Sequence, residues 1–238
     1  MTALPLVTVA LAAATPGWQE VPPLPLAVGG HALAAAGDKL WLVGGSFWTG
    51  DVKRIDDTVW RRRLPDGEWE SVARLSHGFA HGGSAADERA LWLAGGLDAR
   101  GPTAAVTRID LATGVVSTRA PLPEPRAYCG AALLNGALWI VGGTPDETDF
   151  ARASAQVVRI DTSSTDATPR AQLQPAAGPA WINPLVLALR GELHVLPGGA
   201  WSAANQRLEA PSGVWIYSPD TQRWRQRSLA APLPRGLT

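Results

Sequence analysis

The side chains of this 238-residue chain best suited to moving a proton near neutral pH are His77, His81 and Glu209. His77 and His81 stand four apart, a spacing that brings side chains together on a helix. Their context, Ser76-His77-Gly78-Phe79-Ala80-His81-Gly82-Gly83, has no helical pattern and no third ligand, so no metal site is expected there. The second kind of chemistry is anion recognition. Arg54, Arg100, Arg152 and Arg207 each sit a few residues beyond an apolar run, and Arg126 precedes another. Guanidinium groups converging from separate loops would grip a carboxylate or phosphate bidentately. The same loops hold Asp51, Asp56, Asp98, Asp146, Glu147, Asp149 and Glu209, so charge pairs within each loop are the competing outcome. Trp48, Trp201, Phe150 and Tyr128 could stack on a sugar ring or pin the loops.

Composition bounds what such groups can serve. Lys plus Arg and Asp plus Glu are both 21, which argues against a nucleic-acid partner, since phosphate neutralisation needs a basic surplus. Only Lys39 and Lys53 are lysines, and the other basic residues are all arginine. The single cysteine, Cys129, excludes an internal disulfide and a cysteine-based zinc site. No apolar run reaches the roughly 20 residues of a membrane-spanning helix, and no cofactor motif is present. Leu6 to Ala14 looks like a signal-peptide core without its preceding basic region, which leaves periplasm and cytoplasm both open as the compartment.

The elements that would position these residues repeat. Leu40-Trp41-Leu42-Val43-Gly44-Gly45, Leu91-Trp92-Leu93-Ala94-Gly95-Gly96, Leu138-Trp139-Ile140-Val141-Gly142-Gly143 and Leu193-His194-Val195-Leu196-Pro197-Gly198-Gly199 are four copies of one strand. Each follows a small-residue strand and a turn, clearest at Asn135-Gly136. A third strand opens at Val59, Val106, Val157 and Val214, and a fourth is marked by Trp69, Val116 and Trp224. A period near 50 residues with four short strands per unit predicts an all-β propeller of four-stranded blades. No helix longer than about two turns is expected, because no segment has apolar positions at helical spacing. Trp41, Trp92 and Trp139 are expected between blades.

The glycine pair, Val214-Trp215-Ile216-Tyr217-Ser218-Pro219-Asp220-Thr221-Gln222-Arg223-Trp224 and Leu122-Pro123-Glu124-Pro125-Arg126 together resemble the kelch repeat. On that resemblance the chain is one kelch-type β-propeller domain with repeats at about 21–72, 73–120, 121–173 and 174–229. Residues 1–20 read as a partial blade and 230–238 as the start of a further repeat. The expectation is four full repeats in a ring left incomplete as a fragment, closed irregularly, or completed by another chain through an open blade edge.

Within that family, Pro125-Arg126-Ala127-Tyr128-Cys129-Gly130, running into Leu138 to Thr144, is similar to the bacterial group that includes N-acetylneuraminate epimerase, a sialic acid mutarotase. So is the segment from Gly198 through Arg207 to Trp224. The resemblance implies a small acidic sugar bound at the channel mouth. Arg54, Arg100, Arg126, Arg152, Arg207, Tyr128, Trp48 and Trp201 would be its contacts, and Glu209, His77 and His81 the acid–base candidates. The alternative is a non-catalytic propeller that binds a protein or a carbohydrate. His31, His81 and Cys129 fall at or beside one repeat slot, where packing next to the channel is the expected role.

Overall fold

A computed structural model of the chain describes residues 22–163, 171–174 and 178–228. Four antiparallel four-stranded sheets form the blades. Blade one is β1 (Ala32–Ala36), β2 (Lys39–Val43), β5 (Thr58–Arg63) and β6 (Trp69–Arg74), with a hairpin of β3 (Ser46–Thr49) and β4 (Val52–Ile55) inserted between its second and third strands. Blade two is β7 (Gly83–Ala86), β8 (Ala90–Ala94), β11 (Val106–Asp110) and β12 (Val116–Arg119), with the short hairpin β9 (Leu97–Asp98) and β10 (Gly101–Pro102). Blade three is β13 (Ala127–Leu134), β14 (Ala137–Thr144), β15 (Val157–Asp161) and β16 (Gln172–Gln174). A three-residue 3₁₀ turn, Phe150–Arg152, lies in its long loop and is the sole helical element among the described residues. Blade four is β18 (Leu185–Leu189), β19 (Glu192–Leu196), β22 (Val214–Ser218) and β23 (Arg223–Arg227). Its appended sheet is β17 (Trp181–Ile182), β20 (Gly199–Ser202) and β21 (Arg207–Glu209).

The first strands β1, β7, β13 and β18 neighbour one another in that order, so the blades stand around a common axis. Three apolar cores fill the spaces between them. Trp41 meets Leu91, Leu93 and Ile109 between blades one and two. Trp92 meets Leu138, Ile140 and Val158 between blades two and three, and Trp139 meets Leu193, Val195 and Tyr217 between blades three and four. These tryptophans are 0%, 4% and 3% exposed. Arg61, Arg119 and Arg159 stack on Trp41, Trp92 and Trp139, which accounts for part of the arginine excess. Arg62 is buried as well, donating to the carbonyls of Gly67 and Pro65.

The glycine pairs have a steric cause. A Cβ on Gly44, Gly95 or Gly142 would strike the carbonyl oxygen of Phe79, Arg126 or Trp181, respectively, in the segment entering the next blade. Gly45 and Gly96 then donate their N–H to those same carbonyls of Phe79 and Arg126, at 2.7 Å each. The pair therefore lets one blade's second strand seat the start of the next blade. Strand β14 is buried at all eight positions because blade three is covered on both faces. In blade four, Val186, Leu193 and Val195 face blade three, while Leu185, Leu187 and Leu189 are 55%, 39% and 49% exposed. The stretches 1–20 and 230–238, read as partial repeats, lie outside the described residues.

Candidate functional site

Each first strand is entered through a short bridge to the strand leaving that blade's glycine pair: Gly29 with Ser46, Ala80 with Leu97, Ala127 with Thr144, and Ile182 with Gly199. The residue after each bridge, Gly30, His81, Tyr128 or Asn183, has a positive φ of 68°, 54°, 58° or 50°. His81 N–H donates to Gly30 O at 2.7 Å, Tyr128 N–H to His81 O at 2.6 Å, and Asn183 N–H to Tyr128 O at 2.8 Å. This belt joins all four blades around the axis. Glycine or asparagine adopts that backbone readily, but histidine and tyrosine do so at a cost of about 1–2 kcal/mol each.

The two strained residues face one another. The His81 and Tyr128 rings lie 5.3 Å apart between centroids, and Tyr128 meets Phe150 edge-on at 5.8 Å. His81 Nε2 is hydrogen-bonded to Ser46 Oγ of blade one at 3.2 Å. Also from blade one, Lys53 Nζ reaches Glu147 Oε2 of blade three at 4.0 Å. Partial burial, followed by the Lys53 charge, holds the His81 imidazole below its ordinary pKa, while Glu147 opposes the shift. Burial, then Glu147, pushes the Tyr128 hydroxyl above its ordinary value. His81 is therefore a neutral imidazole at pH 7, able to accept a proton, and Tyr128 is a protonated donor. At the opposite end of the blades a shallow concavity of about 450 Å³, lined by Gly37, Asp38, Lys39, Glu88 and others, contains no histidine or aromatic ring. Among the described residues no cluster of three or more His, Cys, Asp or Glu is arranged to hold a metal ion.

The other sequence candidates are dispersed. Arg126 is fully buried and donates to Gly142 O, Gln156 O, Glu124 Oε1 and Gln156 Oε1. It is the repeat equivalent of Phe79 and Trp181, a keystone between blades two and three, which corrects its expected place at the mouth. Arg100, Arg152 and Arg207 pair with Asp98, Asp146 and Glu209 of their own loops. Arg54 is exposed on β4 opposite Phe47. Glu209 also accepts from Asn205 Nδ2 at 2.6 Å, and His77 Nδ1 lies 2.9 Å from Gly78 O in the link between blades. The catalytic trio is therefore not assembled: its members are engaged locally, and only His81 belongs to the mouth cluster. Trp48 is 67% exposed on its hairpin, whereas Trp201 is partly buried on β20.

Cys129, next to Tyr128, is a packing residue. Its Sγ accepts from Gly83 N–H at 3.2 Å and donates to Ala94 O at 3.4 Å, and burial pushes the thiol up to about 11. Lys53 has no expected role in the sequence, and Glu147, expected to pair within its own loop, meets a residue of another blade instead. The signal for their partners was present: Gly30, His81 and Tyr128 each stand fourteen residues before the first glycine of a pair, Gly44, Gly95 and Gly142.

Comparison with known proteins agrees with this architecture. No protein-family model matches the sequence. Kelch-like protein 40 of Xenopus laevis is 25% identical over 126 residues, covering 53% of this chain and 20% of the relative. Kelch repeat and BTB domain-containing protein 12 of Danio rerio is 27% identical over 183 residues, covering 71% of this chain and 27% of the relative. A solved structure, "Structure of YjhT", superimposes with a TM-score of 0.76 at 10% identity, over 93% of this chain and 77% of that one. The chain folds as a β-propeller of the kelch type. It spans about a fifth to a quarter of the two curated kelch proteins, while the likeness to YjhT is one of fold.

Proposed function

We propose that this kelch propeller binds a small acidic sugar at the mouth and interconverts its anomers. The observation that carries the reading is that two bulky rings, His81 and Tyr128, hold the left-handed positions that blade one gives to glycine, lie 5.3 Å apart at a tilt, and feel the charges of the Lys53–Glu147 pair. Such strain is retained where it positions functional groups. The His81 imidazole accepts the anomeric hydroxyl proton as the ring C–O bond breaks. The Tyr128 hydroxyl donates a hydrogen bond to the ring oxygen, where negative charge develops, and the return of the proton closes the ring on either face. Phe150 supplies an apolar wall.

The test is titration of N-acetylneuraminate followed by NMR, with exchange between its anomers as the readout. Millimolar binding that shifts the His81 ring signals, with faster anomer exchange that His81→Ala abolishes, is the expected result. Unshifted His81 signals at millimolar ligand would remove the proposal. A second reading, a protein partner, is favoured by one observation: Trp48 and Val52 are 67% and 51% exposed near the tip of the β3–β4 hairpin. In that case Trp48→Ala would abolish partner binding and leave sugar titrations unchanged.

A further inference from the structure

We propose that Lys53 recognises the acid group of the ligand, and that Glu147 is its displaceable counter-ion in the free protein. This rests on the small-ligand reading of the mouth. The loop arginines are less well placed: Arg100, Arg152 and Arg207 are paired inside their own loops, Arg126 is sealed between blades, and Arg54, next to Lys53 on β4, stands on the opposite face of that strand. The Lys53 carboxylate partner instead comes from another blade. Among the described ion pairs, Lys53–Glu147 is the one that joins the loop of one blade to that of a non-adjacent blade, reaching from blade one to blade three. Its charges act on the two neighbouring rings: both on His81, and Glu147 on Tyr128.

The geometry of the pair suits exchange. At 4.0 Å the two groups attract without a direct hydrogen bond, so an incoming carboxylate that bonds the ammonium gains more than Glu147 loses. The side chains are 34% and 37% exposed, sheltered enough to keep their field and open enough to be reached by solute. Lysine, a point charge on a flexible stem, can turn from one carboxylate to another where an arginine fork would be held in place. The other lysine, Lys39, lies at the far end of β2 beside the opposite concavity.

The experiment follows the His81 imidazole by NMR pH titration in the wild type, Lys53→Met and Glu147→Gln, first without ligand. The groups facing His81 are Ser46, Tyr128, Lys53 and Glu147, so removing the lysine charge should raise its pKa and removing the carboxylate should lower it. If neither variant moves the His81 titration, the coupling of the ion pair to the rings is refuted whatever the mouth binds. N-acetylneuraminate and its uncharged methyl ester are then titrated. Glu147→Gln should tighten the acid, and Lys53→Met should weaken it by about tenfold or more while leaving the ester unchanged, as expected for loss of a charged hydrogen bond. Equal weakening of acid and ester would overturn the assignment of Lys53. If the ligand-free shifts appear but no variant binds either compound, the sugar reading fails and the assignment of Lys53 to its acid group fails with it, leaving the ion pair as a bridge between blades.

Discussion

Arg126 separates a structural from a ligand-binding account of the arginines. Truncating it to alanine removes four hydrogen bonds, of 3.3 Å to Gly142 O, 2.8 Å to Gln156 O, 2.9 Å to Glu124 and 3.2 Å to the Gln156 side chain. The Gly142 carbonyl loses that donor in a buried setting, and an unsatisfied buried acceptor costs about 1–3 kcal/mol. The vacated stem adds a void at a fully buried position, so the total should reach about 3–5 kcal/mol, the range for truncating a large buried side chain. Arg126→Phe is the informative partner, because Phe79 occupies the equivalent position one blade earlier. The ring would fill the space but gives Gly142 O no donor, so the void contribution is removed while the unsatisfied carbonyl remains, and the cost should fall to about 1–3 kcal/mol. Urea unfolding followed by tryptophan fluorescence measures both. An alanine cost below about 1 kcal/mol, or a phenylalanine variant less stable than alanine, would refute the keystone argument.

Trp139→Ala should cost about 3–5 kcal/mol, since the ring is 3% exposed, meets Tyr217 at 5.4 Å and donates to Leu134 O; calorimetry checks this. Trp48→Ala, by contrast, should move stability by no more than about 0.5 kcal/mol in the same assay, because that ring is 67% exposed. Cys129, raised from 9.0 to about 11 in the folded protein, favours folding below pH 9 and loses that contribution as pH rises toward 11. The loss should amount to about 2–3 kcal/mol, and Cys129→Ala should lack it when unfolding is measured between pH 8 and 11.

The architecture was legible because its causes are local and repeated. A glycine pair is required wherever a second strand must pass under the carbonyl of the next blade's entry, and a Trp three residues earlier must fill the space between sheets. Both requirements recur in blades one to three, so Gly44-Gly45 and Trp41 foretell Gly95-Gly96 and Trp92, and again Gly142-Gly143 and Trp139. The third-strand openings at Val106, Val157 and Val214 were legible for the same reason, and the observed strands begin there. Strand β16 was not, as Gln172–Gln174 carries no tryptophan or turn mark like those of the other fourth strands.

The site divides along a physical line. Residue type and repeat position by themselves determined that His81 and Tyr128 stand at the entry of first strands. They could not decide which loop charges meet, because Coulomb attraction depends on separation through space and Lys53 and Glu147 are 94 positions apart in the sequence. Nor could they show that Arg100, Arg152 and Arg207 fold back onto neighbouring carboxylates while Arg126 turns inward. Guanidinium groups reach carboxylates, carbonyls and ligands with equal ease, and only the packing of blade against blade selects among them.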